Sequence, residues 1–454
     1  MALLDDLKKM IPAQRVSNNE TVLFQHSKDE SYHPARNPDV VVFVESAEEI
    51  SQIVNYANEK GIPVVPFGVG SGLEGAAIPV HGGIALDFTS MNQVLEVRPD
   101  DFLVRVQPGV TRDQLNKELK RYGLFFSIDP GADASIGGMC ATNASGTMAV
   151  RYGVMKNQVK GLEVVLANGE IIRTGGLSAK SSSGYNLTDL FVGSEGTLGV
   201  FSEIILRVYG IPEATMAVRA SFPGVEQAVN TALAIMGAGI PVARIELVDA
   251  NGIAHVNRYK GVEYPEAPTL FLEFHGNEAG LAQDVEFAQS LAEEHKCVEF
   301  LFERDSKARA ILWEARHHFA YSFIHTYRGR RKLSTDVVVP LSELPGAIRF
   351  AHQLLEESGL IGAVAGHVGD GNFHTLMMFN PEDPDEVEKV NRNNEAIVNY
   401  ALSKGGTSTG EHGVGLGKMK YQGQEHGKAL DVMVAIKKQL DPKGILNPGK
   451  LFMD

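Results

Sequence analysis

Three glycine-rich stretches between Gly68 and Gly199, the second with almost no side chain large enough to fill a core, constrain this chain more than any other feature. The first is Gly68-Val-Gly-Ser-Gly-Leu-Glu-Gly75. The second is Asp129-Pro-Gly-Ala-Asp-Ala-Ser-Ile-Gly-Gly-Met-Cys-Ala-Thr-Asn-Ala-Ser-Gly146. The third begins at Ser181-Ser-Ser-Gly-Tyr185 and ends in Phe191-Val-Gly-Ser-Glu-Gly-Thr-Leu-Gly199. A surface turn accounts for any one of them. Three in one region fit a large, flat, polar cofactor laid along backbone, because only small residues let a main chain come that close.

Gly70-Ser-Gly-Leu-Glu-Gly75 matches the dinucleotide fingerprint G-x-G-x-x-G and follows the strand-like Pro63-Val-Val-Pro-Phe67. That fingerprint works by seating a pyrophosphate on the N-terminus of a helix that starts there. Here Ala76-Ala-Ile-Pro-Val-His-Gly-Gly83 follows, and Pro79 with the glycine pair denies a helix. The Rossmann reading therefore fails its context, while a nest of consecutive N–H groups remains open to the loop.

From Val40 to Tyr209 short β-branched runs alternate with amphipathic helices. Val40 to Val44 reads as a buried strand. Ser46-Ala-Glu-Glu49 follows with capping-box spacing, the Ser accepting an orphan N–H and the Glu reaching back. Ile50, Ile53, Val54 and Ala57 then share a helical face, with Gly61 at the αL end. Thr111-Arg-Asp-Gln114 repeats the device before Leu115, Leu119 and Gly123. Gly161 to Ile172 is a hairpin turning at Asn168-Gly169. A boundary is expected near Gly210-Ile-Pro212. Beyond it, helical patterns (Val225 to Met236, Leu281 to His295) alternate with strands such as Thr269 to Phe274. Ser306 to Tyr327 reads as one long helix, and after about Pro381 the chain turns mainly helical.

At 454 residues the chain suits two or three domains. A net charge of −14 argues against nucleic acid as a partner. Cys140 and Cys297 have no metal-like spacing and give no disulfide framework, which favours a reducing, cytoplasmic interior. No apolar run approaches a transmembrane helix. Leu3, Leu7 and Met10 fall at helical spacing at the amino end. A docking helix is the plain reading and a peripheral membrane or partner anchor the alternative.

His367-Val-Gly-Asp-Gly-Asn-Phe-His374 lies between apolar runs, and Asp370-Gly371 favours a two-residue type I′ turn. Such a turn sets His367 opposite His374, with Cβ atoms ~4.5–5.5 Å apart on one face. Asn372 points to that same face. Two imidazoles there suit one metal ion, although a water-satisfied cross-strand pair fits equally well. In Thr409-Gly-Glu-His-Gly413 glycines bracket a Glu and a His, as in a pocket-lining or a merely polar loop. Arg316 lies on the apolar stripe of Leu312, Phe319 and Phe323, so its guanidinium needs an anion, either an internal carboxylate or a substrate's.

The loops, in this order, resemble the FAD-binding domain of the vanillyl-alcohol oxidase and p-cresol methylhydroxylase class. From about residue 35 onward the chain resembles the FAD-linked D-2-hydroxyacid dehydrogenases, whose branches act on D-lactate, glycolate or D-2-hydroxyglutarate. The resemblance implies an α+β protein. A helical segment at 1–35 would precede a p-cresol-methylhydroxylase-type FAD domain at 36–211. A ferredoxin-like α+β substrate domain at 212–410 and a C-terminal helical segment at 411–454, returning to FAD, would follow.

By the same resemblance the pyrophosphate would be wrapped by Pro66 to Glu74, including Gly68, Val69, Gly70, Ser71, Gly72 and Leu73. Pro130, Gly131, Ser135, Gly137, Gly138, Asn143, Ser145, Gly146 and Tyr152 would line the cofactor, as would Glu195, Gly196, Val200 and Asn447. Some relatives attach flavin through a histidine in the first loop. This loop has none, so binding is expected to be non-covalent.

His367, His374 and Glu411 would be the metal ligands, for Zn²⁺, Mn²⁺ or Fe²⁺. His412 would be the base, and Arg316, in Trp313-Glu-Ala-Arg316, the substrate's carboxylate anchor, with Asn372 and Lys332 as further contacts. Hydride would pass to flavin N5 while the metal orients the substrate. D-lactate is the expected substrate, ahead of glycolate and 2-hydroxyglutarate. The acceptor would be cytochrome c, a quinone or an electron-transfer flavoprotein, and relatives of this kind often form homodimers. A flavin-free metal hydrolase and an NADPH-using flavin reductase of the same fold are the rival classes.

Overall fold

The computed structural model describes residues 2–453, and the chain divides into two compact units. The first takes the chain up to Ser145, then Gly153–Ile211, then everything from Glu411. The second takes Gly146–Tyr152 and Pro212–Gly410.

In the first unit one sheet runs, in spatial order, Val16–Ser17, Val40–Phe43, Ile84–Asp87 and Val64–Phe67, the last three mutually parallel. Parallel strands are covered on both faces, so they read as unbroken apolar runs rather than alternating ones. The helix Ala47–Lys60 buries Ile50, Ile53, Val54 and Ala57, starting where Ser46 Oγ accepts the Glu49 N–H at 3.3 Å and ending at Gly61 with φ 66°. The Glu49 carboxylate does not return to Ser46 as capping-box spacing predicts. It accepts the Glu45 N–H, one residue earlier, at 2.8 Å and pairs with the Arg15 guanidinium. The amino-terminal helix Ala2–Met10 docks on the same core through Leu7, fully buried, with Leu3 and Met10 beside it.

A second, antiparallel sheet runs Val94–Arg98, Leu103–Val106, Val200–Arg207, Val159–Val165 and Ile171–Gly175. Its last two strands turn at Asn168-Gly169, with Gly169 at φ 81°. The end of the chain comes back to the first sheet. Val64 N–H donates to the Ile445 carbonyl and Asn447 N–H to the Val64 carbonyl, both at 2.8 Å.

The second unit begins with strands Ala214–Ser221, Val242–Val248, Thr269–Gly276 and Glu299–Glu303. Across the sheet they stand fourth, first, third, second, with helices Val225–Gly237 and Glu278–Glu294 after the first and third. That is the ferredoxin-like arrangement. The sheet continues from Val242–Val248 through Ile361–Gly366 and Asn372–Phe379 to Arg331–Ser334.

The stretch expected as one long helix is two, Ser306–His317 and Phe319–Thr326, with His318 between them at φ −83°, ψ 4°. No Gly or Pro marks the break. His318 Nδ1 instead bonds the Glu314 carbonyl at 2.8 Å, a side chain competing for the preceding turn's acceptor. Leu312, Phe319 and Phe323 are buried, as their spacing predicts. Among the described residues no helix is long and apolar enough to cross a membrane.

Candidate active site

The first unit contains a trough with about 1270 Å³ of empty space, part of it open to solvent. Its walls are the small-residue stretches. Pro66, Gly68, Val69, Gly70, Ser71, Gly72 and Leu73 come from the first, and Pro130, Ser135, Gly137, Gly138 and Ser145 from the second. Glu195, Gly196 and Val200 come from the third, and Asn447 from the closing segment. A Cβ on Gly68 would run into Ser135 Oγ, so these two stretches approach too closely for a side chain there unless that hydroxyl moves. Asn447 ties the first stretch to the third, its Nδ2 donating to the Ala76 carbonyl at 2.9 Å and the Glu195 carbonyl at 2.7 Å.

Four expected cofactor residues do not line this trough. Gly131 takes a turn at φ 80°. Asn143 sits at φ 51° beyond the helix Ile136–Thr142, and its Oδ1 accepts the Lys156 N–H at 2.9 Å. Gly146 and Tyr152 belong to the second unit, where the Tyr152 hydroxyl meets His275 Nδ1 at 2.9 Å. In their place Phe67, Phe88, Pro108 and Phe201 form apolar wall. Three of these are aromatic residues in or beside buried strands, which sequence patterning reads as core.

Glu411 and His412 line the same trough. Their loop is held from beneath by Glu195, whose buried carboxylate accepts the Val414 N–H at 2.6 Å and the Gly415 N–H at 2.8 Å. Burial pushes the Glu195 carboxyl up to about 7, against the pull of those N–H groups and of Lys450. Burial also brings Lys450 down to about 8; its ammonium donates to the Ile78 carbonyl at 2.6 Å. Behind His412, Nδ1 stands 3.9 Å from Glu74 Oε1, and Lys418 Nζ is 3.7 Å from that oxygen.

In the second unit the strands Ile361–Gly366 and Asn372–Phe379 form the expected hairpin, but in a different register. Ala365, rather than His367, stands opposite His374. A type I′ turn needs positive φ at both central residues, and only Gly371 supplies it, at 76°. The chain turns earlier instead, with Asp370 N–H donating to the His367 carbonyl at 2.9 Å. Because the displacement is two residues, every side chain keeps its face. The imidazoles of His367 and His374 still approach, ring centres 5.4 Å apart and planes at 86°.

Each ring commits Nδ1 to a protein oxygen. His367 Nδ1 donates to Glu246 Oε1 at 2.6 Å, and His374 Nδ1 donates to the Thr335 carbonyl at 3.0 Å with Asp336 Oδ1 at 3.8 Å. Nε2 is then the nitrogen with which each would bind a metal, and oxygen acceptors behind Nδ1 are the usual support of metal-ligating histidine. The donor chemistry fits a divalent cation such as Zn²⁺.

The fully buried Asp336 organises the surroundings. It accepts Asn372 Nδ2–H at 2.9 Å, Thr409 Oγ1–H at 2.8 Å and Gly410 N–H at 2.9 Å. Asn372 Oδ1 is buried and makes no hydrogen bond. Arg316 Nη2 lies 2.7 Å from Glu246 Oε2, so an internal carboxylate does neutralise this arginine, yet its buried Nε makes no hydrogen bond. Lys332, half-buried on Arg331–Ser334, stands opposite Met378. Sequence reasoning assigned no role to Glu246 or Asp336. Both lie in apolar strand-like runs, where a lone acid reads as an outward-facing residue.

The family model described as "FAD linked oxidases, C-terminal domain" matches residues 211–451, and that described as "FAD binding domain" matches residues 38–175. A Danio rerio protein named "Probable D-lactate dehydrogenase, mitochondrial" is 45% identical, over 96% of this chain and 89% of its own length. The Arabidopsis thaliana "D-lactate dehydrogenase [cytochrome], mitochondrial" is 43% identical, over 99% of this chain and 80% of its own length. Among solved structures, p-cresol methylhydroxylase with substrate bound superposes with a TM-score of 0.83 at 18% identity, over 100% of this chain and 96% of that one, which shows a shared fold.

Proposed function

Since this chain belongs to the FAD-linked oxidases, we propose that it oxidises D-lactate to pyruvate, with a divalent cation assisting FAD. Similarity over nearly the whole chain to proteins named D-lactate dehydrogenase supports the substrate. When bound, the flavin supplies a two-electron acceptor and the cation a Lewis acid. The residues lining the first unit's trough would hold FAD, reversibly, since Gly68-Val-Gly-Ser-Gly72 offers no histidine for a covalent bond.

The remaining work is done by side chains. Arg316 grips the substrate carboxylate, using nitrogens beyond the Nη2 that faces Glu246. His412 takes the proton of the α-hydroxyl, a role that imidazole fills as a general base. Asn372 Oδ1, which makes no hydrogen bond, accepts one from the substrate, and Lys332 is a second anchor. His367 and His374 ligate the cation, joined by Glu411, the residue that follows Gly410 with its bond to Asp336. A cytochrome is the proposed electron acceptor, on the name of the Arabidopsis relative.

The observation that carries this reading is the pair of imidazoles, 5.4 Å apart, each with Nδ1 turned to a protein oxygen. Turnover of D-lactate, L-lactate and glycolate with cytochrome c, before and after chelation, tests it. D-lactate is expected to be the best substrate. Chelator should abolish turnover, and Zn²⁺ or Mn²⁺ should restore it with flavin absorbance unchanged. A colourless protein, or turnover indifferent to chelator, contradicts the reading.

A further inference from the structure

Glu246 lies on the strand Val242–Val248 with no exposed surface, and its two oxygens serve different partners. Oε1 takes His367 Nδ1–H at 2.6 Å, while Oε2 faces Arg316 Nη2 at 2.7 Å. A carboxylate sealed from water is costly, and an apolar residue of similar size commonly serves stability as well or better. Its presence calls for another reason.

We propose that Glu246 is a positioning residue that holds the metal-binding imidazole and the substrate-binding guanidinium in one frame. The inference rests on the reading of His367 as ligand and Arg316 as anchor. With Nδ1–H pinned by a carboxylate, His367 is fixed as the tautomer whose lone pair is on Nε2, and the ring becomes a stronger donor to a cation. On the other side, Glu246 Oε2 pairs with Nη2 at 2.7 Å and holds that edge of the guanidinium by charge. Arg316 Nε, which makes no hydrogen bond, remains to meet an incoming carboxylate. One guanidinium thus holds the internal and the substrate carboxylate through different nitrogens. Metal affinity and carboxylate recognition are coupled through a single side chain.

Full-length holoprotein in three forms, native, Glu246→Gln and Glu246→Ala, tests this. Affinity for Zn²⁺ and Mn²⁺ is read by competition with a chromogenic chelator, and KM for D-lactate is read apart from kcat at saturating metal. Gln keeps an acceptor for His367 but loses the charge facing Arg316; Ala loses both. Glu246→Ala is expected to weaken metal binding by about 10–100-fold, as loss of such support does elsewhere, with Glu246→Gln restoring most of it. KM is expected to rise roughly tenfold in both variants, because neither carries the charge that aims Arg316. Metal affinity equal in all three proteins, or KM unchanged in both variants, overturns the proposal. If Glu246→Ala does not fold, Glu246→Gln, which preserves shape, decides through KM. Native protein that neither binds metal nor turns over D-lactate sinks the reading of the site itself, before any variant is made.

Discussion

In the first unit the chain makes room by leaving side chains out, whereas in the second it commits buried charge. The trough is walled by residues such as Gly68 and Gly196, which carry no side chain to fill it. The hairpin site is built from Glu246, Asp336, His367 and Arg316, each held by a partner distant in sequence. A backbone cradle tolerates little added volume, because packed interiors cannot absorb even a methyl group without shifting. A cluster of charges tolerates little change of charge, because each buried ion leaves its partner uncompensated. Damage to one region should therefore show a different signature from damage to the other.

The largest effect is expected at the loop lining the trough. His412→Asn should lower kcat for D-lactate by about 10²–10⁴-fold, the range of general-base catalysis, with FAD content intact in the absorbance spectrum. Activity within a few-fold of native would remove His412 from the chemistry.

Next come paired lesions that separate the regions. Gly68→Val places a side chain against Ser135 Oγ and should weaken FAD retention by about 10–100-fold, measured by flavin release on dilution, while sparing metal content. Gly68→Ala combined with Ser135→Ala should recover much of that loss. His374→Asn should do the reverse, emptying the metal site and keeping flavin. Loss of both cofactors in either variant would break the contrast.

Asp336→Asn leaves shape unchanged but removes the charge that accepts from Asn372, Thr409 and Gly410. It should destabilise the protein by about 1–3 kcal/mol in denaturant titration. A midpoint matching the native protein would make those bonds dispensable.

The smallest effect concerns Glu195. Its folded carboxyl, pushed up to about 7 by burial, lies above its ordinary value of 4.5. The fold therefore favours the protonated form. That contribution is complete below about 4.5 and is lost as pH rises through about 7. Glu195→Gln should flatten this part of the dependence of melting temperature on pH. A variant whose profile between about pH 5 and 8 parallels the native one would remove Glu195 as the source.

The trough was legible because its signal is local. An absence of bulky residues over a run such as Asp129–Gly146 needs no knowledge of distant chain. The face shared by His367, Asn372 and His374 was legible for a related reason: strand periodicity survives a register error of two residues. The register itself was not, since Asp370-Gly371 favours a two-residue turn and the chain chose a longer one. The carboxylates behind the site were illegible for the opposite reason. Glu246 meets His367 across 121 residues of chain, and Asn372 meets Asp336 across 36. Only the folded sheet brings them together.

Anaerobic titration of the purified, metal-replete protein with D-lactate, followed by the flavin spectrum, tests the central claim most directly. The account predicts bleaching at one equivalent per flavin, little response to L-lactate, and no bleaching after the metal is stripped. A flavin that stays oxidised with D-lactate, with metal present, would contradict it.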